Sequence, residues 1–109
     1  LALVTSAVRA TNGAFAQVGA RLVLDGTHAP ADQHTSLRVE VMGQTLARLG
    51  ITRLPHELEL AVTSTDDGKA VGRKRRVPAD GLTVASLAEL IAAATWPAIA
   101  RHRERQLPA

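Results

Sequence analysis

Apolar positions at the start of the chain recur at helical spacing. Leu1, Val4, Val8, Thr11, Phe15, Val18 and Leu22 follow one another at intervals of 3 and 4 residues, which lines them along one stripe of an α-helix, widened by Ala7 and Ala14. Asn12-Gly13 inside this run is also a hairpin signal, but the apolar phase continues across it, which favours helix. Asp25-Gly26 ends the element, and residues 25–35 form a polar linker containing Pro30.

Beyond the linker, Leu37, Val41, Thr45 and Leu49 share a helical face, with Met42 and Leu46 beside it. Thr35 or Ser36 can cap such a helix, and Gly50 followed by Ile51 looks like a left-handed C-terminal cap with its hydrophobic contact. Leu37, Val39 and Val41 also alternate as an edge strand would; the length of the pattern and the Gly50 stop favour a second helix. After Leu54-Pro55 the period becomes two. Leu58, Leu60 and Val62 alternate with Glu57, Glu59 and Ala61, the pattern of a half-buried strand with the first three inward. Asp66-Asp67-Gly68 supplies a turn, and the returning stretch to Val77 is so charged that a strand there belongs at a sheet edge.

Ser86 and Glu89 stand at capping-box spacing before a buried face of Leu87, Leu90, Ile91 and Ala94. Pro97 kinks this helix or restarts it with Thr95 as cap, Ile99 continues the apolar face, and residues 101–109 form a frayed tail. These elements predict one α+β domain over residues 1–109, of order α-α-β-β-α, in which a two-stranded hairpin packs with three helices.

Composition narrows the chemistry without naming an activity. The chain of 109 residues is long enough for a core of its own, and the absence of Cys excludes disulfides, thiolate catalysis and zinc-thiolate or iron–sulfur sites. Phe15 and Trp96 are the only aromatic residues, so few ring faces exist for stacking single-stranded bases or sugars. Arg far outnumbers Lys and Ala is abundant, a bias associated with bacterial genomes rich in G and C. The chain opens on Leu1, as expected of a processed chain or of the C-terminal or trimmed part of a longer one. No run approaches the ~18 apolar residues of a spanning helix, so a soluble, cytoplasmic chain with no membrane partner is expected.

The net charge of +3 is small, but its clustering is not: Lys69, Arg73, Lys74, Arg75 and Arg76 fall within eight residues beside a turn. On a hairpin such cations can follow the phosphates of a duplex, or they can simply keep an edge strand solvated. Asp25, His28, Asp32 and His34 include potential metal ligands, but their spacing matches no metal signature, while His56 and His102 read as surface. No phosphate-binding glycine loop, Gly-x-Ser-x-Gly or His-Glu-x-x-His is present, so no catalytic, cofactor or metal residue is assigned. Small residues on the first helix, Ala10, Gly13, Gly19 and Ala20, would let another helix approach closely.

The leading expectation is a non-catalytic module that binds itself or a protein partner through Val4, Val8, Phe15, Val18, Leu22, Trp96 and Ile99. The alternative is an accessory domain that binds duplex nucleic acid through residues 69–76. The third is an enzyme fragment whose active site is completed by another chain or domain.

Overall fold

The chain was described by a computed structural model, which covers residues 2–24 and 34–106. Helix α1 (Ala2–Phe15) forms because Ala7, Val8, Thr11 and Phe15 repeat at helical spacing and are all buried. It runs through Asn12-Gly13 without a turn. The stripe is shorter than its spacing predicts. After a short 3-10 turn, Ala16–Val18, Gly19 takes the left-handed conformation (φ 71°) and its N–H donates to the carbonyl of Ala16 at 3.1 Å. Leu22 therefore lies not on the helix but on strand β1 (Ala20–Leu24), where it is buried beside the alternating Ala20.

The predicted second helix is two strands, β2 (His34–Val41) and β3 (Gln44–Arg53), and the predicted order α-α-β-β-α is corrected to α-β-β-β-β-β-α. Two helices, not three, pack with a five-stranded antiparallel sheet instead of a two-stranded hairpin. The strands lie in the sheet in chain order, β1-β2-β3-β4-β5, with β4 at Glu57–Ser64 and β5 at Arg75–Pro78. The cause of the misreading is arithmetic. Spacing of four residues satisfies a strand's period of two as well as it approximates a helical turn, so Leu37, Val41 and Leu49 fit both patterns. Two further features hid the hairpin. Its tight turn is Met42-Gly43, both with positive φ (52° and 83°), where Asn-Gly is the usual signal. In addition, the register jumps between Val39, opposite Ala47, and Glu40, opposite Thr45, leaving Leu46 as a bulge that breaks the alternation. Gly50, read as a helix stop, lies in the middle of β3 beneath the ring of His34.

The hairpin of β4 and β5 was legible. Leu58, Leu60 and Val62 face the core, Gly68 turns the chain with φ 70°, and β5 is the charged edge strand. Only four residues of the returning stretch form β5, joined nearer the turn by an isolated bridge between Thr63 and Ala70.

Helix α2 (Val84–Gln106) neither breaks nor restarts at Pro97. Thr95 is not a cap; its buried hydroxyl donates to the carbonyl of Ile91 at 2.8 Å. Pro97 deprives the Ala93 carbonyl of its helical donor, but both residues lie on the exposed side of the helix, where that carbonyl has access to another. The cap also lies three residues earlier than Ser86. Thr83 Oγ1 accepts from the Ser86 N–H (3.1 Å), while the Thr83 N–H donates to Ser86 Oγ (2.9 Å), a reciprocal box in which Glu89 takes no part. Thr83→Ala is expected to cost about 1 kcal/mol in urea unfolding, and Glu89→Ala less than ~0.5 kcal/mol. The reverse ranking would return the cap to Ser86 and Glu89.

Both helices cover one face of the sheet. The core between the layers holds Leu37, Val39, Leu49 and Leu60 from the strands and Leu87, Ile91 and Ile99 from α2. Among the described residues no element covers the opposite face of the sheet.

Candidate interaction surfaces

Strand parity decides what the sheet presents on the face away from the helices. With Leu22, Leu37, Val39, Leu49 and Leu60 inward, Arg21, Arg38, Glu40, Arg48, Glu57, Glu59 and Arg76 project to the other side. Their charges are matched: Glu40 lies 3.3 Å from Arg21 on the neighbouring strand and 3.6 Å from Arg38 on its own, and Arg76 lies 2.9 Å from Glu59 across strands. The His34 ring lies over Gly50, where a Cβ would come within 3.1 Å of it, and its Nδ1 is 2.9 Å from Thr52 Oγ1. This face is charged, and its acidic and basic side chains pair with one another around the buried Glu40.

The outward side of the helix layer is different. α1 exposes Ala10, Gly13 and Ala14, and α2 exposes Ala93, Trp96 and Pro97. Residues 10–20 and 90–100 contain no charged side chain at all. The two helices lie side by side: Thr11 Oγ1 donates to the Ala88 carbonyl at 3.3 Å, and the Phe15 and Trp96 rings are 6.4 Å apart. The Arg103 guanidinium lies 5.9 Å from the centre of the Trp96 ring and holds its exposed side. Of the residues expected at an interface, Val8, Phe15, Leu22 and Ile99 lie in the domain's own core, Val4 and Val18 are half-buried against it, and Trp96 is 40% exposed. The small residues divide similarly: Ala10 and Gly13 are exposed on α1, whereas Gly19 ends the 3-10 turn and Ala20 is buried in β1.

The basic cluster lies along the β5 edge. Lys69, Arg73, Lys74, Arg75 and Arg76 are all exposed. Glu59 engages two of them, Arg76 at 2.9 Å and Lys74 at 4.0 Å. At the turn end of this edge, Arg105 lies 3.5 Å from Asp66, bringing the last turns of α2 against the loop that leads to β5.

At the other edge of the sheet, the middle of β1 is paired by a side chain. Asn12 on α1 presents its amide to β1 as a neighbouring strand would: the Leu22 N–H donates to Asn12 Oδ1 at 2.7 Å, and Asn12 Nδ2 donates to the Leu22 carbonyl at 3.1 Å. The residue that looked like half of a turn is an edge guard.

Asp25, His28 and Asp32 lie outside the described residues. Among the described residues no three His, Asp or Glu side chains converge as a metal site would require, and no helix is long and apolar enough to cross a membrane. The fold defines an α+β class in which a terminal helix pair covers one face of a five-stranded antiparallel meander. No protein-family model, curated protein or solved structure matches the chain.

Proposed function

We propose that the chain is a non-catalytic self-assembly module that meets a second copy of itself through the outward face of its helix layer. The observation that carries this reading is the reversal of the usual charge distribution. Surface helices of a solitary domain carry charge on their solvent side, yet here that side is uncharged along residues 10–20 and 90–100, while the sheet face away from the helices carries matched ion pairs. Ala10, Gly13 and Ala14 leave no bulky side chain on the part of α1 beyond Arg9, so a helix of the second copy can approach its backbone there. Trp96, already oriented by Phe15 and Arg103, supplies the large apolar surface that anchors of interfaces provide. A two-fold axis through this face makes each copy's α2 the partner of the other's α1 or α2, and the face closes on itself without leaving an open end.

Light scattering and sedimentation are expected to give a dimer mass, twice 11.5 kDa, with at least ~1,000 Å² buried in total. Ala93→Glu, which places an unpaired carboxylate in the middle of the face, is expected to yield a folded monomer whose Trp96 emission shifts to the red. A wild-type protein that stays monomeric at every accessible concentration would overturn the reading.

A further inference from the structure

We propose that the β5 edge and the last turns of α2 together form a binding site for duplex nucleic acid, held through its phosphate backbone. The site lies on one protomer and is independent of self-assembly through the helix face.

The chain separates these two basic segments by some thirty residues, and the fold brings them together. Arg105 lies 3.5 Å from Asp66, and a small recess between loop and helix is lined by Asp66, Val71, Arg101, His102 and Arg105. The register measures the resulting edge. Arg76 stands opposite Glu59 and Arg75 opposite Leu60, Ala70 bridges Thr63, and the Lys69 carbonyl accepts from the Ser64 N–H. The step from Glu59 to Ser64 along an antiparallel strand spans about 17 Å. That length matches the axial rise of about five base pairs, along which both strands of a duplex present phosphates.

Acidic residues use up part of this charge. Arg76 and Lys74 are held by Glu59, and Arg105 by Asp66. The side chains of Lys69, Arg73, Arg75 and Arg101 are exposed and make no ion pair or hydrogen bond among the described residues. Four cations remain free along the edge, and four is the number that sets the strength of the site.

The surroundings choose among polyanions. Val71 is buried and Val77 half-buried, and only the small Ala70 and Pro78 are exposed, so the edge has no large exposed apolar side chain to enter a lipid layer. Phe15 is buried and Trp96 is on the helix face, so no Phe or Trp ring is available here to stack unpaired bases, and the only imidazole in the recess is the half-buried His102. A duplex needs neither, and cations that contact phosphates hold it without reading its sequence.

The test is fluorescence anisotropy of labelled DNA and RNA duplexes of 20 base pairs of unrelated sequence, titrated with the whole chain between 50 and 200 mM salt. Displacement of four counterions should give a log–log slope of about −3.6, an affinity loss of about 150-fold across that range. Arg101→Ala and Arg73→Ala, each verified as folded by circular dichroism, should each reduce the slope by about 0.9, equally for every sequence. Arg9→Ala, an exposed cation on α1, should leave it unchanged. If Arg73→Ala flattens the slope and Arg101→Ala does not, the composite edge is refuted in favour of the loop alone. Absence of duplex binding at 50 mM salt overturns the proposal, as does binding confined to vesicles containing phosphatidylserine or to single strands.

Discussion

Leu60→Ala is expected to lower the stability of the domain by about 2–4 kcal/mol. Leu60 is fully buried at the middle of β4, opposite Ile51 on β3 and under the helix layer that contributes Leu87 and Ile91. Removing its three outer carbons loses their transfer free energy and leaves a cavity, because neighbours on a paired strand cannot collapse into the space. For a domain of this size the loss amounts to a fall in melting temperature of roughly 10–25 °C. Leu24→Ala is the matching control. Leu24 has the same inward parity at the end of β1 but is 58% exposed, so the same chemical change there should cost less than ~0.5 kcal/mol. Urea unfolding of both variants measures the difference. Equal costs would mean that the register of the sheet is wrong.

Asn12→Ala should cost about 2–3 kcal/mol, an unusually large penalty for a half-buried polar side chain. Both backbone groups of Leu22 that point away from β2 depend on the Asn12 amide, at 2.7 and 3.1 Å, and truncation leaves a donor and an acceptor without partners under α1. The variant should show a second effect that simple loss of packing does not produce. With β1 no longer guarded, the sheet offers an unpaired edge to other chains, so the Leu22 amide should exchange its hydrogen faster and the protein should aggregate more readily on mild heating. Unchanged exchange at Leu22 together with wild-type stability would show that β1 does not rely on the side chain.

These two residues also mark how far the sequence could be read. Leu60 was legible because Leu58, Leu60 and Val62 alternate with polar neighbours over a stretch ending at a turn with its own glycine, and a period of two needs no knowledge of the partner strand. Asn12 was not, because nothing in Asn12-Gly13 reveals that the amide pairs with a strand ten residues later. Its neighbours in the chain suggest a turn, and only the docking of α1 against the sheet gives the side chain its role.

The same division holds for the surfaces. Lys69, Arg73, Lys74, Arg75 and Arg76 were visible as a cluster, and the edge position of β5 followed from their density. Arg101 and Arg105 could not be joined to them, because the ion pair with Asp66 links residues 39 positions apart. Likewise the uncharged runs at 10–20 and 90–100 are plain in the chain, but that their exposed parts form one face depends on α1 lying beside α2.

By itself the sequence determined the features set by neighbours within a few residues: the inward stripe of α1 up to Phe15, the parity of β4, the turn at Gly68, the charged edge strand and the existence of the final helix. Tertiary structure decided the rest. Whether Leu37 to Leu49 became a helix or two strands was undecidable from a spacing that serves both. It was resolved by pairing with β1 and β4, which satisfies the backbone of β2 and β3 from both sides while burying Leu37, Val39, Leu49 and Ile51 against the helices. The tight turn at Met42-Gly43 and the bulge at Leu46 accommodate that pairing, because local preference is worth less than a fully bonded sheet over a closed core.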